Sequence, residues 1–455
     1  MGGYPHTGDM IPGSTGAMST GAYATPRVFA RIRTVVTSTP PTSAYRGAGR
    51  PEATFAIERA MDILARRLGL DPAELRRRNF IREFPYRTPT GREYDSGDYG
   101  AALDRALEVI RYAEVRAEQR RRRREGGRPL GVGIASYVER SGGPANSEEY
   151  GSIEITPDGS VVARSGSTCT GQAHPTVFAQ VVASALDVPI ERVRLIQNDT
   201  GQVPDGFASF GSRSLQVGGG ALWIAAKRLV AQAHGLDVTE FARQAGPLHA
   251  EERFRPPQAF PFGTYAAVVE VDPELGTVVV RKLAAVDDYG VVVNPMVVDG
   301  QGYGSIAQGL GQTLYEEAAY TAEGVPVADT LLDYLLPTAA DMPPVKLTET
   351  RTPNPNNPLG AKGAGEAGCI GTPPAVVNAI CDALGVEHVD MPLTPETVWR
   401  AMLTRVGGTR EAGARLARQR AGSALRRYRD RLRLHSRLLP SHRAQVPGLL
   451  PIAVG

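Results

Sequence analysis

Three glycine-rich turns carry the polar side chains of this sequence that could do chemistry. The first, residues 44–52, reads Ala-Tyr-Arg-Gly-Ala-Gly-Arg-Pro-Glu and places Arg46 and Arg50 just before a predicted helix. Backbone N–H groups at a helix start, together with guanidinium groups, suit an anion such as a phosphate or an oxo group. The alternative is a tight turn with surface arginines, which the spacing alone favours.

The second turn, residues 166–175, leads from a predicted strand into a predicted helix and contains Gln172 and His174. Its small donors and acceptors suit a polar ligand. His174 is as well suited to capping or packing as to a functional role. Cys169 has no basic neighbour in the sequence, so we expect its thiol to fill space rather than to act as a nucleophile.

The third turn, residues 360–371, holds a single carboxylate, Glu366, among five glycines. A carboxylate with few local partners can approach a ligand closely, as a general base must. The alternative is that Glu366 stabilises the N-terminus of a helix predicted to begin at residues 372–374. None of the three turns names a reaction by itself.

Composition excludes several classes of protein. The 455 residues are 42% hydrophobic and 22% charged, which is enough for two or three domains with cores. The three cysteines lack C-x-x-C spacing and the seven histidines lack metal-ligand pairing, so we expect no disulfide framework, zinc site or iron–sulfur site. No apolar run reaches the length of a membrane span, and the N-terminus does not read as a secretion signal, so we expect a cytoplasmic protein.

The net charge of +3 is unevenly distributed along the chain. Arginines are concentrated in residues 405–443, and the preceding residues are net negative. The body of the chain therefore gives no reason to expect nucleic-acid binding. We expect residues 404–455 to form a solvated, poorly ordered, Arg-rich tail, with RNA or acidic lipid as the less favoured partners of that tail.

The elements that position the first turn follow from hydrophobic spacing and helix breakers. Residues 1–44 are typical of strands and turns, whereas apolar spacing predicts a helix over 51–68 that ends at Gly69. Asp71 should cap a second helix. A third helix should run from residue 99 to about 124.

Strands and helices alternate beyond a break at residues 126–129, which we interpret as a domain boundary. Residues 235–258 have the character of a connector. These patterns predict a mixed α/β (α+β) fold with domains at 1–125 and 130–403. The predicted strands are 130–138, 151–155, 161–164, 193–197, 264–271 and 277–286, and the predicted helices are 172–186, 212–233, 301–315 and 374–384.

Five motifs follow one another in a fixed order within residues 24–402. They are residues 39–53 (TPPTSAYRGAGRPEA), 171–174 (GQAH), 210–214 (FGSRS), 301 with 308–311 (Q and QGLG), and 362–368 (KGAGEAG). In wording and order they resemble the large molybdopterin-binding subunit of the xanthine dehydrogenase, aldehyde oxidase and carbon monoxide dehydrogenase family. The resemblance implies two molybdenum-cofactor-binding domains, the first incomplete at its N-terminus.

The resemblance also implies roles for individual residues. Glu366 matches the glutamate that acts as a base toward the hydroxyl group on the molybdenum, and Arg46 matches the arginine of the active-site loop. A base in a largely dry pocket must accept one proton at about neutral pH, and we expect burial to raise the pKa of Glu366 toward that range. The molybdenum itself would be held through the pterin dithiolene, without metal ligands from the chain. The implied cofactor-binding residues are Gly47, Ala48, Gly171, Gln172, Ala173, Gly211, Ser212, Arg213, Ser214, Gln301, Gln308, Lys362, Gly363 and Gly365.

Two departures from the family pattern bear on function. The family's carbon monoxide dehydrogenases carry a copper-binding cysteine after the active-site arginine, and Gly47 stands there in this sequence, so the resemblance is to the copper-free form. The glycine-rich cofactor loop that begins the family's large subunit does not occur, so the chain resembles the carboxyl-terminal part of that subunit.

The resemblance implies a molybdenum hydroxylase subunit, or a fragment of one, that oxidises an aldehyde or aromatic N-heterocycle with water as the oxygen source. Its cofactor would be molybdenum-molybdopterin, with or without a cytosine dinucleotide. The implied partners are a small iron–sulfur subunit with 2Fe–2S clusters and a medium FAD-binding subunit, in a dimer of heterotrimers. The alternative is a truncated, catalytically silent remnant that acts only in subunit binding or assembly.

Overall fold

The computed structural model describes residues 2–4, 8–143 and 147–407. The predicted Arg-rich tail, residues 404–455, lies outside the described residues except for the backbone of 404–407. The helices are α1 (Met10–Ala17), α2 (Arg50–Leu68), α3 (Pro72–Asn79), α4 (Tyr99–Ile110), α5 (Tyr112–Glu125), α6 (His174–Leu186), α7 (Gly220–Gln232), α8 (Val238–Ala245), α9 (Pro295–Leu314), α10 (Ala367–Leu384) and α11 (Pro395–Gly407). The strands are β1 (Tyr86–Arg87), β2 (Glu93–Tyr94), β3 (Leu130–Val138), β4 (Glu149–Ile155), β5 (Val161–Ser165), β6 (Val193–Ile196), β7 (Leu248–Phe254), β8 (Phe262–Val271), β9 (Val278–Asp288) and β10 (Val345–Thr350).

A four-stranded sheet in the order β10–β9–β8–β3 forms the centre of the fold. β3, β8 and β9 pair antiparallel, and β10 joins β9 in parallel. Side chains alternate between the faces of a strand, so Tyr265 and Ala267 pack with α9 and α10 while Ala266 and Val268 pack with α4. Helices cover both faces, which explains why the strands are apolar along nearly their whole length.

A second four-stranded sheet, in the order β6–β5–β4–β7, packs against α6, α7 and α8. A π-helical turn, Ser214–Gly219, leads directly into α7. The loops that enter α6 and this π-helical turn contain the predicted residues 171–173 and 211–213, and Ser214 is the first residue of the turn. The loop before α2 and the loop before α10 contain the other two glycine-rich turns.

Local signals placed several elements correctly. α2 ends where Gly69 adopts a left-handed conformation with φ +65°. The Asp71 side chain accepts hydrogen bonds from the Ala73 and Glu74 N–H groups and so caps α3. β3 has the predicted bounds, because a fully apolar run bounded by breakers is typical of a buried strand.

Other predicted elements were wrong. Residues 1–44 contain helix α1, and residues 26–45 form no strand, because their β-branched side chains have no partner strand and Phe29 is 86% exposed. The connector predicted at 235–258 instead contains α8, capped by Asp237, and β7, which pairs with β4. The predicted third helix is broken into α4 and α5 at Arg111, where φ is +60°.

Helix α10 begins at Ala367 and not at residues 372–374, with Pro373 and Pro374 inside it. Its first turn is held by close packing on α9, where the Gly368 N–H donates to the Ser305 hydroxyl over 3.0 Å. α10 has the length and composition of a membrane span, but 94% of it is buried in the protein. It is therefore the core helix of this fold.

The domain boundary at 126–129 remains a prediction. One hydrophobic cluster contains Leu103 of α4 and Ala266 of β8, which lie on opposite sides of that boundary. The fold is mixed α/β, as the sequence predicted.

Candidate active site

Glu366 lies immediately before α10, where its carboxylate accepts three hydrogen bonds from distant parts of the chain. The Gly47 N–H donates to Oε1 over 2.7 Å, and the Arg50 guanidinium and Ser212 hydroxyl donate to Oε2 over 2.5 and 3.0 Å. The side chain is 12% exposed. All three donors are distant in the sequence, as the expectation of few local partners allows, and the carboxylate makes no capping bond to α10.

The electrostatics of Glu366 differ from expectation. Burial raises the pKa of this carboxyl, which was the predicted effect. The Arg50 charge, the Gly47 N–H and further hydrogen bonds lower the pKa by more, so it lies below its ordinary value. Glu366 is therefore ionised at neutral pH.

The first glycine-rich turn contacts an anion of the chain itself, the carboxylate of Glu366, and a phosphate or oxo group at this turn stays a prediction. Gly47 reaches the carboxylate from a left-handed conformation with φ +92°, and the next residue, Ala48, has φ +25°. Arg50 is the first residue of α2 and is 5% exposed. The alternative of surface arginines is therefore wrong for Arg50.

Arg46 joins the turn to α9 and to the Glu366 loop. Its Nη1 donates to Gln308 Oε1 over 2.7 Å and its Nη2 to Gln301 Oε1 over 2.9 Å. Its Nε donates to the Gly365 carbonyl. Every guanidinium nitrogen of Arg46 thus has a partner in the chain, and the residue holds both glutamines and the loop in place.

A cavity of about 770 Å³ opens beside Glu366. Its lining includes most of the residues that the resemblance assigned to the site, but not Gly47 and Ala173. The predicted residues on its wall are Arg46, Ala48, Gly171, Gln172, Gly211, Ser212, Arg213, Ser214, Gln301, Gln308, Lys362, Gly363, Gly365 and Glu366.

Two of the implied cofactor-binding residues, Arg213 and Lys362, have cationic groups that contact buried parts of the protein. Arg213 is fully buried, forms an ion pair with Glu149 and donates to the Ala208 carbonyl over 2.9 Å. Lys362 is 2% exposed, and its Nζ lies 3.3 Å from Thr352 Oγ1. These contacts support the loops on which the two residues lie.

Two polar residues at the cavity or its edge, Glu139 and Arg140, were not considered from the sequence. Arg50 and His174, which also line the cavity, were considered there but not assigned to the site. Arg140 lines the cavity and forms no ion pair with any part of the chain that the structure describes. Burial, with the charges of Arg50 and Arg92, lowers its pKa to about 10. A Glu-Arg pair directly after an apolar strand of nine residues was the available signal.

We expect Gly47→Ala to reduce the free energy of unfolding by about 2–5 kcal/mol. This range is the sum of the cost of left-handed backbone strain and the cost of overpacking. A Cβ at Gly47 would lie 2.7 Å from Pro51 Cγ. The control is Gly69→Ala, where φ is +65° but no atom lies within 4 Å of the new Cβ, so strain alone should cost about 1–2 kcal/mol. Denaturant unfolding measures both, and equal losses would contradict the packing argument.

Comparison with known proteins identifies the family. The sequence profile of the molybdopterin cofactor-binding domain matches residues 1–80 and, in a second form, residues 105–343. The carbon monoxide dehydrogenase large chain of Hydrogenophaga pseudoflava is 36% identical over 439 residues, covering 84% of this chain and 55% of that protein. The nicotine 6-hydroxylase large subunit of Paenarthrobacter nicotinovorans is 34% identical over 439 residues, covering 84% of this chain and 53% of that protein.

Solved structures give the same result. Quinoline 2-oxidoreductase from Pseudomonas putida 86 superposes with a TM-score of 0.82 at 30% identity, covering 86% of this chain and 57% of that one. A Cu,Mo-CO dehydrogenase superposes with a TM-score of 0.80 at 31% identity, covering 85% and 56%. The chain spans about half the length of the relatives it matches. The resemblance seen in the five motifs is confirmed, and the chain belongs to the molybdopterin cofactor-binding domain family, that of the molybdenum-hydroxylase large subunits.

Proposed function

We propose that the chain is part of a molybdenum hydroxylase that oxidises an aldehyde or an aromatic N-heterocycle, with water as the oxygen source. The observation that carries the proposal is Glu366, an ionised carboxylate on the wall of a large cavity, held by Gly47, Arg50 and Ser212. A fixed carboxylate that is ionised at neutral pH can accept a proton from a hydroxyl group, as a general base requires.

The cavity suits a molybdopterin cofactor. Its wall contains Arg140, a cation without an ion-pair partner in the described chain, which fits the negative charge of a phosphate group. His174 also lines this wall, and its buried Nε2 has no hydrogen-bond partner in the part of the chain that the structure describes. Ordinary packing leaves few such groups unpaired, so a polar ligand that reaches them accounts for both.

When bound, the cofactor supplies oxygen transfer to the substrate carbon and takes up the two electrons. The chain's own residues prepare the site for that chemistry. Glu366 accepts the proton, and its three donors fix its orientation toward the cavity. Arg46 holds Gln301 and Gln308, whose side chains line the same wall, so that the pocket has one shape before substrate enters.

Carbon monoxide is an unfavourable substrate for this site, although two relatives are named for its oxidation. Gly47 has no thiol, and no cysteine among the described residues lines the cavity. The Cys369 thiol is buried behind it, where burial raises its pKa to about 12. A copper–sulfur centre of the kind that the family's carbon monoxide dehydrogenases use therefore has no ligand here.

The proposal includes the partners implied by the family: a small iron–sulfur subunit, a medium FAD-binding subunit and a dimer of such heterotrimers. It leaves both the plain and the cytosine dinucleotide forms of molybdopterin as candidates, and the cytoplasmic location remains a prediction. The site does not support the alternative of a catalytically silent remnant. Glu366 has its hydrogen-bond donors, and Arg46 holds the glutamines of the cavity wall.

We expect co-expression with the genes that neighbour its own to yield a complex containing about one molybdenum per chain. With a reducible dye, this complex should oxidise at least one member of a panel of aldehydes and N-heterocycles, and it should not oxidise carbon monoxide. The control is the complex from cells grown with tungstate, which should assemble without turnover. A complex that contains no molybdenum under any of these conditions would contradict the proposal.

A further inference from the structure

Glu139 has a buried carboxyl group beside the site, and the proposed reaction gives this residue no role. It is the first residue after β3, and its side chain has no exposed surface. No donor among the described residues makes a well-formed hydrogen bond to either carboxyl oxygen, although the Ser212 hydroxyl and the Glu366 carboxyl lie beside it. An ionised carboxylate in such a place is strongly disfavoured, so the position requires an explanation.

The same guanidinium nitrogen contacts Glu139 and Glu366. Arg50 Nη2 lies 2.5 Å from Glu366 Oε2 and 3.9 Å from Glu139 Oε1. One guanidinium compensates one negative charge, and two adjacent buried carboxyls with a single cation readily hold one proton between them. The pair is therefore one carboxylate and one carboxylic acid.

Hydrogen bonding decides which of the two carries the proton. Glu366 accepts from three donors, whereas the hydroxyl donor beside Glu139, that of Ser212, already gives its one proton to Glu366. Burial, and then the charge of Glu366, raise the pKa of Glu139 well above its ordinary value. The other groups that face Glu139 are the Ser212 hydroxyl and the buried Tyr289 phenol, with Arg140 adjacent in the chain, and none of them is an anion at neutral pH.

We propose that Glu139 is a positioning residue for the base: it stays a carboxylic acid, donates a hydrogen bond to Glu366, and so keeps Glu366 ionised and oriented. Only Glu366 exchanges protons with the cavity, while the proton on Glu139 remains in place. This inference rests on the proposed role of Glu366 in turnover, but the protonation of Glu139 can be measured without any turnover.

The first test uses infrared spectra of the full chain without cofactor at neutral pH. Glu139→Gln should remove one carbonyl absorption of a protonated carboxylic acid. The control is Glu270→Gln, because hydrogen bonding from Arg122 lowers the pKa of Glu270, so that variant should remove only carboxylate absorption. If Glu139→Gln removes carboxylate absorption and leaves every acid band, the proposal is overturned, whatever substrate the enzyme uses.

The second test compares pH profiles of kcat for the assembled enzyme. Glu139→Leu removes the donor, which raises the pKa of Glu366, so turnover should fall about tenfold on the acid side and the acid limb should move to higher pH. Glu139→Gln keeps an N–H donor and should stay near wild type. An acid limb that does not move in the Leu variant, or moves equally in both variants, would overturn the positioning role, and melting temperatures verify that both variants are folded.

Discussion

Replacing Glu366 with Gln should lower turnover by about 10²–10⁴-fold while the protein stays folded and keeps its molybdenum. The amide has the size of the carboxyl and can still accept from the Gly47 N–H, so the loop should keep its shape. It cannot accept a proton at neutral pH. A steady-state assay with a reducible dye, normalised to the molybdenum content of each preparation, measures the effect.

The matched control is Glu52→Gln. Glu52 is a carboxylate in the first turn of α2, the helix whose start contacts Glu366; it accepts from the Gly49 N–H over 2.8 Å, but it does not line the cavity. We expect near-normal turnover from this variant. A Glu366→Gln enzyme that keeps its molybdenum and more than about a tenth of wild-type turnover would exclude the role of Glu366 as the base.

Sequence reasoning succeeded where local patterns determine structure. The fully apolar run of β3 and the breaker and cap at Gly69 and Asp71 each act over a few residues, and the structure has them as predicted. Helix α1 is the opposite case. Its sequence, MIPGSTGA, has no helical periodicity, and its position depends on close packing against the backbone of Gly49, where a Cβ would lie 2.5 Å from Ser14 Cβ.

The site was predicted as separate turns and not as an arrangement. Each turn was recognisable from its glycines and its polar residues, but the hydrogen bond between Gly47 and Glu366 joins positions 319 apart in the chain. A single sequence does not show which of its distant loops come into contact in the folded chain. For this reason the Glu366 carboxylate was not expected as the partner of the first turn, and the phosphate or oxo group suggested there stays a prediction.

The same limit explains the error in the pKa of Glu366. Burial alone raises a carboxyl pKa, and burial was the only effect visible from a glycine-rich loop. The pKa of Glu366 is lowered instead because Arg50, at the start of α2, Gly47, just before that helix, and Glu139, at the end of β3, contact its carboxylate. Charged residues at the end of a buried strand are thus worth assigning to a site even when no glycine motif surrounds them.

Replacing Arg50 with Met should reduce the free energy of unfolding at neutral pH by about 3–5 kcal/mol, the range for removing one partner of a buried ion pair. Arg50 is 5% exposed and is the cation that contacts both Glu366 and Glu139. Arg67 offers a matched control, because its ion pair with Glu387 is 66% exposed on the arginine side, so Arg67→Met should change stability by about 0.5 kcal/mol or less.

The pH dependence of this loss has a definite sign. In the wild type the pKa of Glu366 lies below its unfolded value, so its contribution to stability is present above that value and is lost as pH falls through the folded pKa. Without Arg50 the largest of the effects that oppose burial is lost, so the pKa of Glu366 rises. The penalty in Arg50→Met should therefore be full at neutral pH and should shrink as pH falls through the raised pKa.

A double variant separates loss of charge compensation from loss of packing. Arg50→Met with Glu366→Gln has no uncompensated carboxylate, so it should be more stable at neutral pH than Arg50→Met alone, and its stability deficit should depend little on pH. Denaturant unfolding of the wild type, the two single variants and the double variant, at neutral and acid pH, completes the cycle. If the single-variant losses simply add and the loss in Arg50→Met is the same at both pH values, Arg50 acts by filling space and not by holding the carboxylate ionised.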